Sequence, residues 1–273
     1  MNKVVVTGSF DGVGSRHIRF LEQASKLGDL DVLLWADDVA ELLEGKRPKF
    51  SQAERQYVLE AVRYVTRVVM VAQWAERDAL PHLESLSPAV WAVNPAEDCP
   101  AKRRYCAAHG MAYHVVAQED PAGFPSGNRN LAQGPSAHRK VMITGAFDWF
   151  HSGHVRFFEE ASELGDLYVV VGHDANIALL KGAGHPMFPQ EERRYVVQSI
   201  RYVKQALIST GRGWLDAEPE IVSIRPDVYA VNEDGDRPEK QDYCEKHGIE
   251  YLVLKRVPKE GLPKRDSTTL RGF

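Results

Sequence analysis

The chain has 273 residues, with 34 Lys or Arg against 38 Asp or Glu and a formal net charge of −4 at pH 7. That balance provides no global positive field for a phosphate backbone and excludes a polybasic nucleic-acid binder. With 44% hydrophobic and 26% charged residues the composition is that of an ordinary globular protein, two domains of about 130 residues fit, and no apolar run reaches the roughly 18 residues that span a bilayer.

The chain enters a β-rich run at Val4-Val5-Val6 without a basic leader, which sets the expectation of a cytoplasmic protein. Cys99, Cys106 and Cys244 are odd in number and show no Cys-x-x-Cys spacing, so neither a disulfide framework nor a zinc site is expected. After the first strand comes Thr7-Gly8-Ser9-Phe10-Asp11, which recurs 137 residues later as Thr144-Gly145-Ala146-Phe147-Asp148. Between residues 7–30 and 144–167, 15 of 24 positions agree. Gln52-Ala53-Glu54-Arg55-Gln56-Tyr57 likewise faces Gln190-Glu191-Glu192-Arg193-Arg194-Tyr195, and Ala92-Val93-Asn94 faces Ala230-Val231-Asn232. A period this long means duplicated domains, not a solenoid. The expected division is a first domain over 1–120, a linker over 121–137, where Pro121 to Ser136 is rich in Gly, Pro, Ser and Asn, and a second domain over 138–273.

In the second copy Lys140-Val141-Met142-Ile143 predicts a strand, and Val155, Phe158, Ala161 and Leu164 recur at helical spacing. Gly165 fits a left-handed residue closing that helix, and Tyr168 to Val171 reads as a strand buried on both faces. A helix over Gln190 to Tyr202, a strand at Ala206 to Ile208, a helix before Pro226, a strand at Val228 to Val231, a helix near Lys240 to His247 and a strand at Tyr251 to Leu254 follow. The first copy has the same order. Such alternation implies α/β domains with parallel, doubly wound sheets, whose ligands collect at the carboxyl ends of the strands.

The first strand-to-helix loop of the second copy carries His151-Ser152-Gly153-His154. Two histidines three apart at a helix start share a face beside free N–H groups and the positive end of the helix dipole, and Gly153 allows a close approach of phosphate oxygens. After the last strand, Lys255-Arg256 and then Ser267-Thr268-Thr269 supply cations and hydroxyls for a polyphosphate. Asn232, Asp234 and Asp236 follow the strand ending at Val231 and face base, ribose, metal or a plain polar turn. No Gly-x-Gly-x-x-Gly follows either first strand, which argues against a redox dinucleotide protein.

These residues, His151-Ser152-Gly153-His154 behind Thr144-Gly145-Ala146-Phe147-Asp148, with Lys181, Arg256 and Ser267-Thr268-Thr269, resemble the cytidylyltransferase group of the His-x-Gly-His nucleotidyltransferases. The resemblance covers both repeats and includes glycerol-phosphate and ethanolamine-phosphate cytidylyltransferases, the latter also a tandem duplication. It implies two Rossmann-like domains packed as a pseudo-dimer, and transfer of CMP from CTP with Mg²⁺ to a small phosphomonoester, releasing pyrophosphate. It further implies catalytic roles for His151, His154 and Lys181, the last of which lies in Leu180-Lys181-Gly182-Ala183-Gly184 and is expected in a glycine-flanked loop. Nucleotide and phosphate contacts are implied for Thr144, Gly145, Ala146, Phe147, Asp148, Gly153, Asn232, Asp234, Arg256, Ser267, Thr268 and Thr269, with Asp148 also open as a metal ligand or a structural turn residue. The alternatives are an adenylyltransferase of the same superfamily and a silent nucleotide-binding or regulatory protein. The chain departs from the group's Arg-Thr-x-Gly-Ile-Ser-Thr-Thr by a longer spacing from Arg256 to Ser267, which makes Arg265 a rival to Arg256.

The acceptor stays open, and Trp149, Phe150 and Trp214 are aromatic candidates for it or for packing. The first copy has Gly14-Ser15-Arg16-His17 where the second has the tetrad, Glu44 opposite Lys181 and Arg129-Asn130-Leu131 opposite Ser267-Thr268-Thr269, and is therefore expected to be folded but catalytically silent. Helices carrying Arg63-Tyr64-Val65 and Arg201-Tyr202-Val203 are the expected internal interface of a monomer.

Overall fold

Strands apolar on both faces are stable only inside a sheet covered by helices on both sides, and each half of the chain builds that arrangement. The computed structural model describes residues 2–73, 76–82, 87–117, 124, 138–267 and 270. It divides into two compact units, Met1–Ala122 and Gly123–Phe273. The first contains β1 (Lys3–Gly8), α1 (Ser15–Ser25), β2 (Asp29–Trp35), α2 (Asp37–Glu44), α3 (Gln52–Glu60), β3 (Arg67–Val71), β4 (Val90–Val93), α4 (Pro100–Ala108) and β5 (Ala112–Val115). The second contains β6 (Lys140–Gly145), α5 (Ser152–Ser162), β7 (Asp166–Val171), α6 (Asp174–Lys181), α7 (Gln190–Gln198), β8 (Val203–Ile208), α8 (Glu218–Ile224), β9 (Val228–Asn232), α9 (Pro238–Lys246) and β10 (Glu250–Leu254).

The two sheets have one topology, β3-β2-β1-β4-β5 and β8-β7-β6-β9-β10, and every pairing is parallel. The chain order reverses beside β6, which runs with β7 along its whole length but with β9 only at Val141–Val228 and Met142–Tyr229. Beyond Met142 the two strands part, opening a crevice at their carboxyl ends, the place where such sheets hold ligands. Met142, Tyr168, Val170, Leu207, Tyr229 and Val231 form a core below it. In the first unit Val5, Leu33, Trp35, Val71, Trp91 and Val93 do the same.

Several boundaries differ from expectation for local reasons. Leu164 lies beyond α5, which ends at Ser162. Gly165 is not a left-handed cap: its φ is +152°, and a Cβ there would lie 2.2 Å from the Arg139 carbonyl that accepts from the Asp166 amide. Gly28 repeats this against the Asn2 carbonyl. The helix expected to reach Tyr202 stops at Gln198, where the buried Ser199 turns its hydroxyl back onto the Val196 carbonyl at 2.6 Å and competes with helix continuation. Arg201 and Tyr202 thus lie in a turn and Val203 opens β8, while Arg63 to Val65 lies in the turn after α3, so neither triplet rides on a helix. Of the expected linker 121–137 only Phe124 is among the described residues. Among those residues no helix is long and apolar enough to cross a membrane.

Candidate active site

The loop from Gly145 to His151 is fixed by a residue recurrent in both copies. Arg193, 2% exposed on α7, donates from Nε to the Phe188 carbonyl (2.9 Å), from Nη1 to Ala146 (2.5 Å), and from Nη2 to Gly172 (2.8 Å) and the Asp174 carboxylate (2.7 Å). Arg55 repeats this from α3 with Phe50, Ser9, Trp35 and Asp37. Gln190 and Gln52 accept from the first amides of α6 and α2. Sequence comparison of the copies marked these residues as shared without giving them a role. One guanidinium ties the first loop, the end of the second strand and the following helix into a rigid rim.

Asp148, 5% exposed, spends both carboxylate oxygens on the amides of Met187 (2.9 Å) and Phe188 (3.1 Å), and Asp11 does the same with Lys49 and Phe50. Its structural-turn alternative is therefore the one the geometry displays. Phe147 takes a left-handed φ of +50° and lays its ring against Gly145, where a Cβ would meet it at 2.8 Å. Backbone strain of this kind persists where surrounding bonds over-determine the chain. Ala146 contributes its carbonyl to Arg193. Thr144 points into the crevice wall, its hydroxyl 2.9 Å from that of the buried Tyr229.

At the start of α5 His151 is the N-cap residue, 2% exposed, and its Nδ1 accepts from the Gly153 amide at 3.1 Å. Burial is the largest cause that pushes its pKa down to about 4, helped by Arg256 and Arg265 and opposed by Asp266. A neutral ring whose Nδ1 accepts carries its proton on Nε2, and Nε2 is enclosed with no partner. His154 stacks on this ring at 3.9 Å between centroids, with Phe150 stacked at 5.5 Å and Phe147 edge-on at 5.4 Å. Burial, then His151, Arg256 and Lys181, hold His154 well below the usual histidine range, and its Nδ1 is also enclosed and unpartnered. Gly153 has a further reason to be glycine: a Cβ would sit 2.9 Å from His151 Cε1 and 3.4 Å from the Arg265 carbonyl.

The segment after β10 folds back over this helix start. Arg256 donates to Asp234 (2.9 Å) and to the Arg265 carbonyl (3.1 Å), and Ser267 donates to the Asp148 carbonyl (2.7 Å). Ser152, Gly153, Asn232, Lys255, Arg256 and Arg265 line one cavity. Asn232 makes no side-chain cap there, unlike Asn94, whose oxygen caps a 3-10 turn through the Glu97 amide. Lys181 is not in a loop but is the exposed last residue of α6, which His173 caps at the start and Gly182 closes at a φ of +87°. The structure thus brings His151, Gly153, His154, Asn232, Asp234, Arg256 and Ser267 together, with the charge of Lys181 felt at His154. Thr268 and Thr269 lie outside the described residues.

No group of three or more His, Cys, Asp or Glu among the described residues is placed to hold a metal ion, and both Asp148 oxygens already accept from backbone amides. The donor set does not fit a protein-built cation cage.

A model of the cytidylyltransferase-like family matches residues 5–109 and again 142–262. FAD synthase of Ferroglobus placidus is 38% identical over 125 residues, 45% of this chain and 78% of that protein. FAD synthase of Thermococcus kodakarensis is 37% identical over 126 residues, 44% of this chain and 79% of that protein. Both matches have about the length of one unit. The solved structure of a lipopolysaccharide core biosynthesis protein from Thermoplasma volcanium is 24% identical and covers 45% of this chain and 99% of that one, at a TM-score of 0.39, too loose a likeness to add to the fold.

Proposed function

Because the chain belongs to the cytidylyltransferase-like family of nucleotidyltransferases, we propose that residues 138–273 transfer an adenylyl group from ATP to the phosphate of flavin mononucleotide (FMN), forming flavin adenine dinucleotide and releasing pyrophosphate. The names of the relatives support adenylyl transfer over the cytidylyl transfer expected from the sequence. An oxygen of the acceptor phosphate attacks the α-phosphorus in line, the bond to the bridging oxygen breaks, and its electron pair leaves with pyrophosphate. Mg²⁺ would enter with the triphosphate substrate and supply neutralisation of its negative charge.

Such a reaction asks the protein mainly for positioning and for stabilisation of charge on phosphate oxygens. The observation that carries the reading is the pair of stacked, neutral histidines with enclosed, unpartnered ring nitrogens. Gly153 fixes the His151 tautomer, so its Nε2 is a preorganised donor for the α-phosphate, at the positive end of the α5 dipole. One such donor contributes about 3 kcal/mol, or roughly 10²-fold in rate. Arg256 exchanges Asp234 for phosphate oxygens, Lys181 supplies a second cation, Asn232 and Asp234 meet the nucleoside, and the Ser267 hydroxyl exchanges the Asp148 carbonyl for a phosphate oxygen, with Thr268 and Thr269 as further donors. The first unit is silent: Gly14 and Arg16 replace His151 and Gly153, and Glu44 inverts Lys181.

Pyrophosphate release on mixing the full chain with ATP or CTP and with FMN or glycerol phosphate tests the assignment. The expected productive pair is ATP with FMN. Release with CTP and glycerol phosphate alone would return the site to cytidylyl transfer, and nucleotide binding without release would leave a silent binding protein.

A further inference from the structure

Trp149 carries two costs that its counterpart avoids. Its backbone is left-handed, with a φ of +51°, where the first unit has Gly12 at +76°, and an indole side chain is strained in a conformation glycine adopts freely. Its Nε1 is enclosed without a partner, as are those of the core residues Trp35 and Trp91, but Trp149 lies in a site loop and not in a core, and an indole N–H is a donor that normally finds an acceptor when buried. The surroundings are built, not loose. Asp148 pins the Met187 and Phe188 amides next to it, and the Trp149 and Phe188 rings meet edge-to-face at 5.2 Å.

The same pinned turn in the first unit presents Lys49 in place of Met187. One loop therefore shows glycine and a cation, the other an aromatic plane and a half-exposed thioether, 54% open for Met187. Trp149 is also one residue from Phe150, whose ring continues the His154–His151 stack. Trp149 and Met187 thus flank Asp148, the first beside it in sequence and the second through its amide, next to the Phe150 ring that continues the histidine stack.

We propose that Trp149 and Met187 form the wall against which the ring system of the acceptor lies, the Trp149 N–H donating to a ring carbonyl or nitrogen, so that the site selects a planar heteroaromatic phosphomonoester. This rests on the flavin reading above and adds to it the residues that choose the acceptor. A flat ring with polar edges satisfies both features at once, whereas a glycerol or amino-alcohol phosphate leaves the plane uncovered.

The test is steady-state kinetics with FMN and ATP varied separately, together with quenching of FMN emission on binding, for wild type, Trp149→Gly, Trp149→Phe and Met187→Lys. Trp149→Gly and Met187→Lys install the residues the first unit already carries at the matching turn, so folding is retained. Trp149→Gly is expected to raise KM for FMN by about tenfold and abolish the quenching, with KM for ATP within about twofold; Trp149→Phe, which keeps a ring and loses the N–H, by about threefold. Unchanged FMN constants in both Trp149→Gly and Met187→Lys would overturn the contact while leaving the flavin reading intact. A wild-type chain that nucleotidylates glycerol phosphate but not FMN would overturn both.

Discussion

At matching places in the two units a histidine sits under opposite fields. His154 has Lys181 and Arg256 nearby, which push its pKa further below a value already lowered by burial. His17, also lowered first by burial, is pushed back up by a backbone hydrogen bond at Gly12 and then by Asp11 and Glu44. The scaffold beneath is the same, down to the four partners of Arg55 and Arg193 and the two amides held by Asp11 and Asp148. Duplication therefore preserved the frame that shapes the loop, while the charges around the matching histidine differ in sign between the copies. The changes are also coupled. The His151 ring leaves no room for a Cβ at position 153, so a side chain such as Arg16 is compatible only with the Gly14 of the first unit.

If the frame is common, Arg55→Ala and Arg193→Ala each destabilise by about 2–3 kcal/mol in urea denaturation, because each leaves several enclosed backbone carbonyls without a donor; a loss confined to one would break the equivalence. The next effect belongs to the second unit. His151, with a pKa near 4 in the fold against an ordinary 6.5, binds its proton more readily in the unfolded chain. Stability it permits above pH 6.5 is therefore lost as pH falls toward 4, by about 3 kcal/mol. His151→Asn, which keeps a capping acceptor, flattens that part of the pH–stability curve, and an imidazole resonance titrating near 6.5 would contradict the burial.

Gly153→Ala displaces the His151 ring and lowers turnover about tenfold, whereas Arg16→Ala, on an exposed position, leaves it unchanged. Equal rates for wild type and Gly153→Ala would remove the argument for coupling. The smallest contrast is between two asparagines. Asn94→Ala loses a cap worth about 1 kcal/mol in thermal denaturation, while Asn232→Ala leaves stability within about 0.5 kcal/mol and raises KM for the nucleotide instead.

Much of this was legible in the sequence because it depends on local pattern. Val4-Val5-Val6 and Tyr168 to Val171 identify buried strands, the offset of 137 identifies the repeat, and the tetrad at a strand-to-helix turn marks the candidate site. Contacts across long separations were not legible. That Arg193 reaches Ala146, or that Ser267 reaches Asp148, depends on which strands become neighbours, and nothing at 193 or 267 alone announces it. Lys181 was misplaced because Gly182 and Gly184 read as a loop, while capping by His173 carries α6 up to Gly182. Nucleotide choice was illegible for another reason: the tetrad handles phosphates, which ATP and CTP share.

Pyrophosphate release from ATP and FMN by His154→Ala beside His17→Ala tests the central asymmetry most directly, with both chains checked for intact folding. A loss of 10²-fold or more in the first and a rate within about twofold of wild type in the second is the expected result. Comparable losses in the two variants would contradict it.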